Sequence, residues 1–140
     1  MSKAFTREDD DAPPPAVTRR GVAVPTPNPI TAGGLRALRA ELAGASGERA
    51  RELADHLATA EVLEPTDRAA AGFGARVTVV DDGGRRHTYR IVGAIEAAPR
   101  EGAISWQSPI ALALQAARVG DSVALPRGEV EVVAIDYPAA

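Results

Sequence analysis

With 140 residues, 45% apolar and 25% charged, the chain is sized for one domain, or one small domain with an appendage, and can build a core. Aromatics make up only 4%, so that core must come from Val, Ile, Leu and Ala, and a net charge of −3 argues against a phosphate-neutralising surface and against independent specific DNA binding. The absence of cysteine excludes disulfides and thiolate metal sites, and His56 and His87 are not spaced as a metal pair.

No run approaches the roughly 18 to 20 apolar residues that a bilayer span requires. The opening residues, Met1 to Asp11, are acidic and have no apolar stretch of the kind a signal peptide needs. The expectation is a cytoplasmic protein with no membrane partner, no metal and no cofactor.

Residues 1–29 hold six of the eleven prolines and the acidic run Glu8 to Asp11. Without apolar periodicity such a segment cannot offset the entropy of ordering it, so a disordered tail is expected.

Residues 30–71 read as a short helical hairpin and linker. Thr31 is a suitable N-cap, and Leu35, Leu38 and Leu42 follow as one apolar stripe. Gly44-Ala-Ser-Gly47 breaks the helix. A second helix is expected from about Glu48 to Val62, with Ala50, Leu53, Leu57 and Ala60 facing the first, and Pro65 beyond its end.

Residues 72–140 read as a strand-rich domain. Ala75, Val77 and Val79 alternate with Arg76, Thr78 and Val80, and Asp81-Asp-Gly-Gly84 is a hairpin turn leading to a return strand, His87 to Val92. Asp81 and Asp82 read as a solvated turn, and Arg85 and Arg86 as a solvated edge. Ile104 to Gln107 is a candidate third strand. Ser108 and Pro109 open a helix to about Ala117, because serine caps it and proline fits the first turn. Val119-Gly-Asp121 then leads into strands Ser122 to Leu125 and Glu129 to Ile135. The expected fold class is α+β, with one helix packed on a curved antiparallel sheet.

Four motifs in this last region occur in one order at short spacing. They are Phe73-Gly-Ala-Arg-Val-Thr-Val-Val80, Tyr89-Arg-Ile-Val-Gly93, Ile104-Ser-Trp-Gln-Ser-Pro-Ile-Ala-Leu-Ala-Leu114, and Val119-Gly-Asp121 running into Gly128-Glu-Val-Glu-Val-Val133. Together they resemble the C-terminal domain of the Gre transcription elongation factors, GreA and GreB. Ile30 to Leu42 and Ala60 to Pro65 resemble the two ends of the coiled coil that precedes that domain in the family. The resemblance implies an FKBP-like fold for the second domain and a stub coiled coil for the first.

It also implies a partner. Gre factors bind RNA polymerase at the rim of the secondary channel, gripping a coiled coil of the β′ subunit, with the region around the Ser-Pro motif in the contact. Here those residues are Ser105, Gln107, Ser108, Pro109 and Ile110. Trp106, beside them, reads as core. In the family, acidic residues at the coiled-coil tip help a catalytic magnesium ion cleave backtracked RNA. This chain has Gly44 to Gly47 where that tip would be, and Glu48 is the acidic residue beside the turn.

A helix from Thr31 to Ala43 spans only about 20 Å at 1.5 Å per residue. The expectation is therefore a polymerase-binding regulator without intrinsic catalysis, and not an enzyme. One alternative is a cleavage factor with a reduced tip, in which Glu48 is the weak catalytic candidate. Another is a Rnk-like nucleoside diphosphate kinase regulator, since Rnk also combines a shortened hairpin with a Gre-type domain. A prolyl isomerase, suggested by the implied fold, would need aromatic pocket walls, whereas Phe73, Tyr89, Trp106 and Tyr137 are scattered. The serines have no His and Asp at triad positions, and the glycines form no phosphate loop.

Overall fold

The computed structural model describes residues 22–138, so the expected tail at 1–21 lies outside the described residues. The architecture is mixed α+β, with a pair of helices set beside a five-stranded, mainly antiparallel sheet that carries a third helix.

The first helix, α1 (Ala32–Gly44), starts where its cap predicts: the Thr31 hydroxyl accepts the Gly34 N–H at 3.0 Å. A two-residue break follows, and α2 (Gly47–Thr59) returns. Leu38 and Leu53 are buried between the helices with Ile30 and Ile95, and Leu35, Leu42, Leu57 and Ala60 pack around them. Arg49 ties the pair together, donating to Glu41 on α1 at 2.7 Å and to Glu52 at 2.8 Å.

Two expectations for this region need correction. The second helix ends at Thr59 rather than Val62, because Ala60 turns extended and Glu61–Val62 form a short strand, β2. Its parallel partner is β1, Pro29–Ile30. Residues 22–29, expected to belong to a disordered tail, instead lie along α2. The Val22 N–H donates to Glu52 at 2.8 Å, and Nε2 of the buried His56 meets the Val22 carbonyl at 2.7 Å. The buried Asn28 amide donates to the His56 carbonyl at 2.7 Å and to the Thr59 hydroxyl at 3.1 Å. Side-chain pins of this kind replace the apolar periodicity that the segment lacks.

The large sheet contains β3 (Arg76–Asp81), β4 (Arg86–Val92), β5 (Ala103–Ser105), β6 (Ser122–Leu125) and β7 (Gly128–Asp136), in the order β5-β4-β3-β7-β6. The β3–β4 turn is built as expected. Asp81 Oδ1 accepts from the N–H groups of Gly83 and Arg85, and Gly84 takes φ +80°, where glycine is favoured. The third strand differs from expectation, since β5 runs parallel to β4. Two short 3-10 helices, Ala94–Glu96 and Pro99–Glu101, carry the chain back before β5 begins. A parallel neighbour needs such a crossover.

The third helix, α3 (Pro109–Leu114), is shorter than expected. Ala116 adopts φ +68° and ends the run before Ala117. Its buried face, Ala111 and Leu114, covers Val77, Val79, Ile91, Val130 and Val132 in the main core. Each fully buried Val, Ile or Leu contributes about 1.5–3 kcal/mol of transfer free energy. A register shift between β3 and β7 at Thr78/Val79 inserts one extra residue on β7. That bulge changes the side-chain parity, so Ile135 packs on the same core as Val130 and Val132. The linker is tied to this body at its end: the Tyr137 hydroxyl donates to the Ala70 carbonyl at 2.6 Å, and Arg118 pairs with Asp67.

Candidate functional site

The predicted contact residues fall together at the β5–α3 junction. Ser105 ends β5, and its hydroxyl accepts the Gln107 N–H at 3.2 Å, which closes the turn into the helix. Ser108 caps α3 by accepting the Ala111 N–H at 3.3 Å, and Pro109 occupies the first helical position. Gln107 and Pro109 are exposed, while Ser105 and Ser108 are half-buried. Ile110 is half-buried against the main core.

Trp106 also packs on that core, in keeping with its reading as core, and its indole Nε1 is buried without a hydrogen-bond partner. Tyr89 and Tyr137 pack on the same core, so these aromatics do not wall a separate pocket.

The structure adds Leu112 to this surface. On α3 the inward pair is Ala111 and Leu114, three residues apart, and Leu112 turns outward with 61% of its surface exposed. Sequence reasoning counted it only as part of the helix. The spacing of the buried pair was the available signal, since residues three apart share a helix face. Pro109 and Leu112 together present a small apolar face beside polar Gln107.

Glu48 lies in the first turn of α2 and is exposed, at the far end of the hairpin from the sheet connection. The carboxylates near it serve structure. Glu41 is held below the ordinary carboxylate range by its hydrogen bond to Arg49. For Glu52 burial pulls upward, but the Val22 N–H and Arg49 outweigh it and the net shift is downward. Among the described residues no group of three or more His, Asp or Glu side chains is arranged to hold a metal ion. No helix among them is long and apolar enough to cross a membrane. A cleft of about 420 Å³ separates α1 from the sheet, bordered by Thr31, Gly34, Leu38, Arg49, Arg90 and Glu96. It contains none of the predicted contact residues.

The arrangement is a strand–helix junction with a small exposed apolar face, and comparison with known proteins gives the chain a family. Residues 65–137, just over half of the chain, match the family model for the C-terminal region of the transcription elongation factors GreA and GreB. The chain belongs to the GreA/GreB family. It is 41% identical over 96 residues to transcription elongation factor GreB of Neisseria meningitidis, a match covering 64% of this chain and 59% of that protein. It is 44% identical over 93 residues to transcription elongation factor GreA of Nautilia profundicola, covering 63% of this chain and 57% of that one. The matches therefore span less than three fifths of these relatives' own length. Among solved structures, GreA factor homolog 1 (Gfh1) of Thermus thermophilus is 27% identical, with a TM-score of 0.45, covering 77% of this chain and 97% of that one.

Proposed function

We propose that this chain is a transcription factor that binds RNA polymerase at the secondary channel rim without stimulating transcript cleavage. In this reading the sheet domain, FKBP-like as the family resemblance implies, docks on the β′ subunit. Ser105, Gln107, Ser108, Pro109 and Ile110 contribute to the contact, and Leu112 extends it. A capped helix start, a proline face and an outward leucine suit a helical partner, because they offer apolar area at little conformational cost.

The observation that carries the absence of cleavage is the length of the hairpin. Each helix has 13 residues, about 20 Å at 1.5 Å per residue, and the two meet at a break of alanine and serine between glycines. A carboxylate assists a metal ion only from direct or water-bridged distance. Glu41 and Glu52 are engaged by Arg49, and Glu48 is the acidic residue in the first turn of α2, beside the break.

The test adds purified protein to a backtracked elongation complex, with a full-length Gre factor as control and competitor. Inhibition of the control factor without transcript shortening is the expected result. Transcript shortening by this protein alone would overturn the reading and make Glu48→Ala the next variant. Absence of both effects would move the search to other partners, a nucleoside diphosphate kinase first. Pro109→Asp is expected to weaken polymerase binding at least about tenfold, the scale of one interface anchor. Unchanged affinity in the folded variant would remove the contact assignment.

A further inference from the structure

The hairpin and the sheet have separate apolar cores, and the joint between them is small. From the sheet side, Ile95 is the buried residue that enters the hairpin core. Among the described residues, the hydrogen bonds that cross between the two regions both run from Thr31 to Glu96. The Thr31 N–H donates to Glu96 Oε2 at 3.0 Å, and the Thr31 hydroxyl donates to Oε1 at 2.5 Å. Oε2 also accepts the Gly93 N–H at 2.8 Å, so the carboxylate is anchored to its own short helix while it holds the start of α1.

The backbone on both sides is cut away to admit this contact. A Cβ at Gly34 would lie 2.0 Å from Glu96 Oε1, and one at Gly93 would lie 2.4 Å from the Pro29 carbonyl oxygen. Gly34 sits inside α1 in ordinary helical conformation, where glycine is normally a liability of about 1 kcal/mol against alanine. Its conformation does not require glycine; the space taken by the carboxylate does.

We infer that Glu96 is the positioning residue that fixes the angle between the helical hairpin and the sheet, and that Gly34 exists to let its carboxylate reach Thr31. Without that carboxylate, Ile95, the close approach of Gly93 to the Pro29 backbone and the linker remain as the joint. Packing contacts of this kind hold position but not direction, because they are non-directional. The hairpin then swings over the adjoining cleft. The inference concerns the geometry of this chain alone and does not depend on what the sheet binds.

The chain has no cysteine, so Ala43→Cys and Glu129→Cys, both at exposed positions, place two spin labels without competition. The full chain is expected to give one narrow inter-label distance, and Glu96→Ala and Gly34→Ala at least a twofold broader distribution. Thr31→Ser, which keeps the hydroxyl, is expected to keep the narrow one. A folded Glu96→Ala protein with an unchanged distribution would overturn the inference. A second reading comes from melting. Gly34→Ala is expected to lower the Tm of the wild-type chain, by displacing the carboxylate. In a Glu96→Ala background the same change is expected to raise the Tm, because the space is then vacant and helix propensity decides. The same sign in both backgrounds would also overturn it.

Discussion

The sheet and the hairpin are stabilised by different kinds of interaction. Among the described residues, eleven buried ones contributed by the strands, α3 and their flanks make the sheet's core, whereas the hairpin's has four and borrows one of them, Ile95, from the sheet side. The hairpin compensates with directional bonds. Arg49 bridges to Glu41, Glu52 and His56 clasp Val22, and Asn28 reaches the end of α2. A small helical pair beside a larger sheet can be well defined, but its definition then rests on particular polar atoms. Apolar burial tolerates exchange of side chains of similar volume, while a buried amide or carboxylate does not.

The widest test of this contrast is to hollow out each core. Leu114 and Leu53 are both fully buried, and alanine at either site is expected to cost about 2–5 kcal/mol. The consequences should differ: Leu114→Ala lowers protection from hydrogen exchange throughout the sheet, whereas Leu53→Ala lowers it in α1 and α2 alone. Equal loss everywhere after Leu53→Ala would show that the two regions unfold as one unit.

A smaller and sharper test is Asn28→Ala, which leaves the buried His56 carbonyl without its donor. About 1–3 kcal/mol is expected, read as lost protection confined to residues 22–62. Leu112→Asp probes the opposite property of the sheet region, an exposed apolar side chain with no structural task. Its effect on stability should stay within about 0.5 kcal/mol in urea unfolding, while the proposed docking on polymerase predicts a roughly tenfold loss of affinity.

Acid titration gives the smallest effect and touches both regions. Hydrogen bonds from His87 to Asp81 and from Arg76 to Asp136 hold these carboxyls below their ordinary range in the sheet, as Arg49 holds Glu41 in the hairpin. A carboxyl with a lowered pKa in the folded state contributes stability above its ordinary pKa, and that stability is lost as pH falls through the lowered value. The Tm is therefore expected to be flat near neutrality and to decline below about pH 4. High salt should weaken the exposed pairs and flatten that decline.

What was legible in the sequence was what is local. The Thr31 cap, the Gly44 to Gly47 break, the Asp81 to Gly84 turn and the Ser108-Pro109 helix start are each written within a few residues, and each stands where its chemistry requires. The β1–β2 pair was missed because each strand has two residues, sits beside a proline or a helix end, and finds its partner some thirty positions away. The parallel course of β5 was missed because its cause is a crossover of two short 3-10 turns, which carries no periodicity. At the candidate site the residues of the junction could be named, but the outward turn of Leu112 and the core burial shared by Trp106 and Ile110 depend on how α3 lies on the sheet. Glu96 gave no signal at all, since a carboxylate in a loop looks solvated until its donors arrive from residues 31 and 93.

The place of β7 has a consequence for how the protein is made. This strand lies between β3 and β6, so the ladder next to β3 is completed by residues as late as Asp136. On the ribosome, residues 29–62 can pair and pack among themselves while β3 and β4 wait as a two-stranded hairpin with an unfilled edge. Isolated hairpins are marginal in water, and pairing between distant segments is slow. The nascent chain should therefore acquire its helical region before its sheet. During that interval the row of valines on β3 is the surface most in need of a chaperone.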